Sequence, residues 1–462
     1  MTHERHVGSR VTVDLPARSM PVPIHSPCVP YRSALSHMSL SSCERYSPES
    51  AEALFKRESG SGGAPGHPVP SLAMVYAPHP FFNARNLLEQ QTLTTFIKNL
   101  NGLAGPLKGR QKPPHLVQFT TQTTVGQALR ELAAYNILGA PVIDAATGEY
   151  AGIIDVGNIL GALVEDLAGD RDMSQLPDDE FVAAQPRLSG PELQRVGDAF
   201  TAKTLGRLLH SGELWFKGDA ESTLLEVVNA GFKVRLAAGP GGSLAGAPAL
   251  TPVHHRVAVF DILPGEETPD GPVPAWRITD IVSQTDVVRF LAANLARLDS
   301  AFDASVSLLG LVQGPGAVRT LPADAPTLAA FAYMHRHALS GLGVTDPGTG
   351  VLVGNLSMSD LRGITAARFD TLALPVGAFL LRRAGRGVDW GRDAGAPPTG
   401  EPAEWSPELQ RRALVAVPRD TPLREVLHLL VRHSKHRAYV RDEAGRAVGV
   451  VTPTDLLRCI AG

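Results

Sequence analysis

A chain of 462 residues exceeds what one ordinary hydrophobic core organises, so more than one folded region is expected. Lys and Arg number 43 against 46 Asp and Glu, and the resulting formal charge of -3 offers no basic field to a nucleic acid or an anionic membrane. No apolar run reaches the roughly 18 residues that a membrane helix needs, and Cys28, Cys43 and Cys459 show no paired spacing, which suits a reducing compartment and idle thiols.

Residues 1–85 are rich in Ser, Gly and Pro, as in "RESGSGGAPGHPVPS", and hold too few aliphatics to offset chain entropy, so they read as a disordered tail. Glu4 and Asp14 come early and no secretory apolar core follows; a transit segment is the alternative. Residues 86–111 read as a linker helix.

A repeated order of helix, strand, turn, strand, helix then begins. In repeat 1, residues 112–170, "TTVGQALRELAAYN" sets Val125, Leu129 and Leu132 on one helical face, "GAPVIDAATGEYAGIID" reads as two strands about a turn, and "VGNILGALVEDL" closes the unit. Repeat 2, residues 200–299, runs from "AESTLLEVVNAGF" to "AWRITDIVSQTDVVRFLAANL" and is stretched by "AAGPGGSLAGAPALTP" and "ILPGEETPDGPVP", both read as surface loops. Repeat 3, residues 300–372, pairs "DAPTLAAFAYMHRHA" with "SGLGVTDPGTGVLVGNLSMSDLRGI". In repeat 4, residues 405–462, Thr421 and Pro422 open a helix with Leu423, Val426, Leu427 and Leu430 at helical spacing, followed by "RAYVRD", "AVGVV" and "TPTDLLRCIAG". Each repeat is too small to cover its own sheet face, so neighbours are expected to pair into two modules of α/β (α+β) class.

A strand ending in Ser/Thr-x-x-Asp before a helix, recurring in order, resembles the CBS domain. Four copies, with "HHRVAVFD", "IVSQTDVVRFL" and "GNLSMSDLR", resemble the gamma regulatory subunits of AMP-activated protein kinase and of plant sucrose-non-fermenting-related kinases, over residues 112 to 462. The resemblance implies four CBS repeats paired into two Bateman-type modules. It further implies a non-catalytic subunit that senses AMP, ADP or ATP as regulatory ligand with no catalytic cofactor. Kinase catalytic (alpha) and beta-type subunits would be its partners, in the cytoplasm or nucleus.

The pairs Ser283 and Asp286, Ser357 and Asp360, and Thr452 and Asp455 fit a helix cap, in which hydroxyl and acid exchange hydrogen bonds with the backbone. In nucleotide-binding CBS proteins such a carboxylate also accepts from both ribose hydroxyls, and the two roles are compatible. His255, Arg256, His436 and Arg437 stand at the starts of first strands, where gamma subunits grip phosphate with a guanidinium fork and an imidazole. Repeat 1 departs from the pattern, with Asn158 at the acid position, Asp155 at the hydroxyl position and Leu138 at a usual basic position; repeat 3 has Ala338 and Leu339 near where a basic pair would stand. One to three usable sites are therefore expected. Arg289 and Arg362 read as solvent-facing, and Trp215, Phe216 and Tyr439 as core or cleft packing.

"GPGGSLAG" lacks the Lys-Ser/Thr ending of a phosphate loop and reads as a flexible loop. The histidines of "HHR", "HRH" and "HSKH" have no fitting ligand spacing for a metal. No pairing of nucleophile with base is apparent, so an enzyme is disfavoured. A CBS scaffold for protein association without ligand is the alternative function, motivated by Asn158 and the long insertions.

Overall fold

The computed structural model describes residues 79–102, 116–169, 173, 175–209, 222–232, 254–268, 271–314, 316–384 and 414–461, all within the compact unit Met74–Gly462. The Gly-rich insertion of repeat 2, most of the expected tail, Trp215 and Phe216, and Cys28 and Cys43 lie outside the described residues.

Three repeats form the same small sheet. In repeat 1, Phe119–Thr120 runs parallel to Gly139–Ile143, which pairs antiparallel with Tyr150–Asp155. Repeat 3 does the same with Thr320–Pro322, Gly341–Thr345 and Leu352–Ser357, and repeat 4 with Ala416–Val417, Ala438–Arg441 and Ala447–Val451. Each amphipathic helix ends in a left-handed residue that turns the chain into its strand: Asn136, Ala338 and Ser434, with φ of 51°, 50° and 50°. This equivalence sets the register among repeats and aligns Ser340 and Gly341 with His436 and Arg437. The comparison with a basic pair in repeat 3 therefore belongs at Ser340 and Gly341, beyond Ala338 and Leu339.

Repeat 2 corrects one expectation. The proline-rich insertion is no loop: Arg256–Thr268 and Gly271–Ser283 pair continuously out to Thr268 and Gly271. A two-stranded ribbon has two free edges, so its prolines need not donate to a ladder, and a register shift between Leu263 and Glu266 absorbs Pro264. A second correction concerns repeat 3, where the expected closing helix is a short 3₁₀ turn, Met358–Asp360. Gly363, at φ 80°, ends any helical continuation.

The expected linker helix is two helices, Phe82–Glu89 and Leu93–Gly102, and the first begins inside the region read as tail. They are part of the core of repeat 2: Phe81, Leu88, Leu93 and Phe96 are buried with Leu224, Val288 and Leu291, and Phe96 meets the Phe290 ring edge-on at 5.6 Å. Asp299 accepts from the amides of Asn83 and Ala84 at the start of the first helix, at 2.9 and 3.0 Å. Each repeat borrows such a segment, through the bridges Thr124 to Thr204, Thr92 to Thr223, Pro326 to Pro375 and Ser305 to Pro422. In both halves of the chain the segment before the first repeat covers the second, and the segment following the first repeat covers the first.

Sheet faces join repeats 1 and 2, where Ile153, Ala258, Phe260 and Ile278 cluster and the Tyr150 and Phe260 rings meet edge-on at 5.2 Å. Repeats 3 and 4 join through Tyr439, fully buried, whose hydroxyl donates to Asn355 Oδ1 at 2.8 Å. Helices then join the modules, with one core shared by repeats 1 and 3 and another by repeats 2 and 4. At the first of these seams Asp178 receives the Tyr333 hydroxyl at 3.0 Å, pairs with His337 Nε2 at 2.8 Å and bonds Arg319.

Gly341 is where a side chain cannot go: a Cβ there would lie 1.4 Å from Arg437 Nη1 and 2.6 Å from the Leu356 carbonyl oxygen. Gly341→Ala is expected to displace the guanidinium and cost about 1–3 kcal/mol, read as a lower urea midpoint with unchanged slope. For Asp178, desolvation raises the carboxyl pKa, but the His337 and Tyr333 hydrogen bonds and the charges of His337 and Arg319 outweigh it and hold it below 3.8. A depressed folded pKa gives stability that is present at neutral pH and lost as pH falls through that folded value. The gap in urea midpoint between the native chain and Asp178→Asn should therefore be open at pH 7 and close in acid below pH 3.8.

Candidate functional site

All four strand-to-helix junctions are closed by the same reciprocal cap. In repeat 2, the Ser283 amide and hydroxyl donate to Asp286 Oδ2 at 3.0 and 2.7 Å, and the Asp286 amide donates back to Ser283 Oγ at 3.3 Å. In repeat 4, Thr452 and Asp455 repeat this at 2.9, 2.6 and 3.3 Å. In repeat 3 the Ser357 amide donates to Asp360 Oδ2 at 2.8 Å, while Ser357 Oγ accepts from the Ser359 amide at 3.3 Å. Repeat 1 uses Asp155 and Asn158, with Asn158 Oδ1 accepting from the Asp155 amide at 2.9 Å. The spacing of three residues is thus a capping box at every repeat, worth about 0.5–2 kcal/mol each.

The cap uses one carboxylate oxygen and leaves the other for further work. The Asp286, Asp360 and Asp455 side chains are 14%, 15% and 23% exposed, so none points into bulk water. Arg289 approaches Asp286 Oδ1 at 3.5 Å and Arg458 approaches Asp455 Oδ1 at 3.8 Å, both beyond a good N–H···O hydrogen bond. Arg289 is therefore turned inward, and Arg362 donates to the Ile137 carbonyl at 3.4 Å, against the expectation that both face solvent. Asp360 differs: Arg383 Nε lies 2.9 Å from its Oδ1.

The junctions of repeats 2 and 4 are stitched together. Gln284, buried, donates to the His254 carbonyl at 3.1 Å and accepts from Thr454 Oγ1 at 2.8 Å, while Thr285 Oγ1 meets His436 Nδ1 at 3.1 Å. Each link involves the neighbour of a capping acid, so Asp286 and Asp455 stand on adjoining helix starts. His255 is exposed at its own surface. Desolvation first, then the Arg256 and Arg437 charges, hold its pKa below 6.5 against the opposing Asp155 charge and Gln284 hydrogen bond. Lys435 faces the repeat 3 junction instead: desolvation lowers its pKa, Asp360 raises it and Arg383 lowers it.

The two arginines of the expected phosphate grip are built into the module interfaces. Arg256 Nη1 bonds Asp155 Oδ2 at 3.2 Å, which explains the acid at the cap of repeat 1. Arg437 is only 6% exposed; its Nη2 donates to Ser340 Oγ at 2.7 Å and its Nη1 to Asn355 Oδ1 at 3.4 Å. Among the described residues no carboxylate lies within ion-pair distance of Arg437, so a buried cation stands uncompensated beside His255. Gly139 and Gly341 occupy the equivalent positions in repeats 1 and 3, and Gly341 gives Arg437 its room. This alternation of Gly and Arg, together with Gln284, Thr285, Thr454 and Arg383, is the part of the site missed by sequence reasoning.

Among the described residues no group of three or more His, Cys, Asp or Glu could hold a metal ion, and no helix is long and apolar enough to cross a membrane. Burial first, then the Asp455 charge, pushes the Cys459 thiol up to about 11, which keeps it protonated and unreactive.

Comparison with known proteins agrees with this architecture. The CBS domain profile matches residues 113–165 and 407–462, the first and fourth repeats, so the chain carries CBS domains. It is similar to the SNF1-related protein kinase regulatory subunit gamma-1 of Arabidopsis thaliana, 23% identical over 363 residues that cover 74% of this chain and 77% of that one. Two solved structures are also similar. One, from Methanocaldococcus jannaschii, is MJ1225, described as a candidate archaeal homologue of gamma-AMPK, 13% identical, with a TM-score of 0.44 over 75% of this chain and 96% of that one. The other is a conserved protein of Pyrococcus horikoshii, 15% identical, with a TM-score of 0.36 over 75% of this chain and 95% of that one.

Arg437→Ala is not the neutral change that a surface phosphate contact would permit. Losing the hydrogen bonds of a charged group to Ser340 and Asn355 is expected to cost about 1.5–3 kcal/mol in urea unfolding. Thermal and urea midpoints equal to those of the native chain would contradict the interface role.

Proposed function

We propose that the chain is a non-catalytic regulatory subunit of gamma type that senses AMP, ADP or ATP for a serine/threonine protein kinase. The observation that carries the reading is the buried Arg437, met only by neutral oxygens and adjacent in sequence to His436, together with the inward-facing acids Asp286 and Asp455 on linked helix starts. A nucleotide brings what those groups lack. Its phosphates supply negative charge to His255 and His436, with the Arg437 charge behind them. Its ribose diol offers two donors to a carboxylate oxygen held in place by the cap. Adenine would lie between paired repeats.

The resemblance to the Arabidopsis gamma-1 subunit supports the kinase partners, catalytic and beta-type. Two nucleotides that bind two conformations unequally shift the balance by that difference alone, typically about 1–3 kcal/mol, which is enough for regulation. The long segments exchanged between repeats give such a shift a route to the surface, because both modules share each helical core.

Calorimetric titration of the full chain with AMP, ADP and ATP tests the reading. Asp455→Asn is the informative variant, since Asn158 shows that an amide oxygen accepts the cap hydrogen bond in this fold. It is expected to weaken affinity about 10- to 100-fold with the fold retained. Absence of heat with all three nucleotides at millimolar concentration would leave the association scaffold as the surviving function. Purification from the native cell should recover kinase catalytic and beta-type subunits.

A further inference from the structure

Repeat 3 carries the same capping pair as repeats 2 and 4, yet its junction is built differently. Arg383 sits in the last turn of the helix Val376–Ala384, which is anchored by the Val376 amide on the Ala325 carbonyl at 2.9 Å and by the Phe331 and Phe379 rings, edge-on at 6.1 Å. From there its side chain, 17% exposed, enters the junction. Nε lies 2.9 Å from Asp360 Oδ1, Nη2 donates to the Ser359 carbonyl at 3.2 Å, and Nη1 donates to the carbonyls of Asp360 and Arg362. Asp360 Oδ2 is already taken by the Ser357 amide. Asp360 Oδ2 therefore has an amide donor and Oδ1 a close ion-pair partner, both from the chain itself.

The contrast with the other repeats is one of geometry. Arg289 and Arg458 come from the same helix as their acids and stop at 3.5 and 3.8 Å. Arg383 comes from a different, docked helix and is held by main-chain carbonyls as well. Those carbonyls are exposed for capture because the segment following Ser357 is a 3₁₀ turn and not a helix. The same shortening removes most of the aligned peptide dipoles that favour an anion at the starts of Gln284–Ala293 and Pro453–Ala461.

We infer that Arg383 is a specificity-determining residue that closes repeat 3 to a ribose diol and confines nucleotide to repeats 2 and 4. The inference rests on the nucleotide reading given above. Repeat 1 adds no third place, because Asn158 carries no charge and Asp155 is bound by Arg256. A guanidinium fixed on Asp360 supplies donors where a sugar would supply them, so the two compete for the same lone pairs.

Calorimetry on the full chain with AMP separates the outcomes. The native chain is expected to bind at most two equivalents, Asp360→Asn to leave affinity within twofold and stoichiometry unchanged, and Asp455→Asn to lose affinity tenfold or more. Arg383→Gln is expected to add one equivalent. Should that variant unfold, Asp360→Asn still decides the matter, since loss of one equivalent there overturns the inference while leaving nucleotide sensing intact. A fall in affinity for Arg383→Gln at constant stoichiometry also overturns it, by making Arg383 a phosphate contact. No heat from the native chain or from any of the three variants overturns the nucleotide reading and this inference with it.

Discussion

Two arginines at equivalent strand starts of repeats 2 and 4 hold the modules together, one in each. Arg256 crosses from repeat 2 to the capping Asp155 of repeat 1, and Arg437 crosses from repeat 4 to Ser340 and Asn355 of repeat 3. Arg437 stands against Gly341 of repeat 3, and in repeat 1 the equivalent Gly139 lies against Asp155, the acid that Arg256 bonds. Burying a guanidinium is costly unless its donors are met. In repeat 1 an aspartate meets them; in repeat 3 only neutral oxygens do. The difference leaves Arg437 a buried cation without a carboxylate partner among the described residues.

Asp286 and Asp455 cap the helices on which they stand, so their positions are set by backbone hydrogen bonds; under the proposed nucleotide reading they are ordered before a ligand arrives. Thr285 and His436, with Gln284 and Thr454, tie the junctions of repeats 2 and 4 across the seam between modules. The two helix starts are thus joined by polar contacts and by the shared core behind them.

Local patterns were legible and remote ones were not. The order of elements, the apolar helix faces such as Leu423, Val426, Leu427 and Leu430, and the capping pairs all involve residues within a few positions of each other, where spacing alone fixes geometry. Arg437 and Ser340 are separated by 97 residues and Arg383 and the Asp360 carbonyl by 23, so their meeting depends on how repeats pair. The proline-rich ribbon of repeat 2 was obscured because proline argues against a strand only where both edges are occupied. Gly363, three residues beyond Asp360, was the available sign that repeat 3 lacks its closing helix. The two helices before repeat 1 looked like a linker because the surface they cover is supplied by repeat 2, far along the chain.

The account turns on where a nucleotide settles. A crystal structure of the full chain grown with AMP measures this directly. The expected result is a ribose diol within hydrogen-bond distance of Asp286 Oδ1 or Asp455 Oδ1, displacing Arg289 or Arg458, with phosphate oxygens toward His255 or His436. A nucleotide bound elsewhere, with both carboxylates still facing their own arginines, would contradict it.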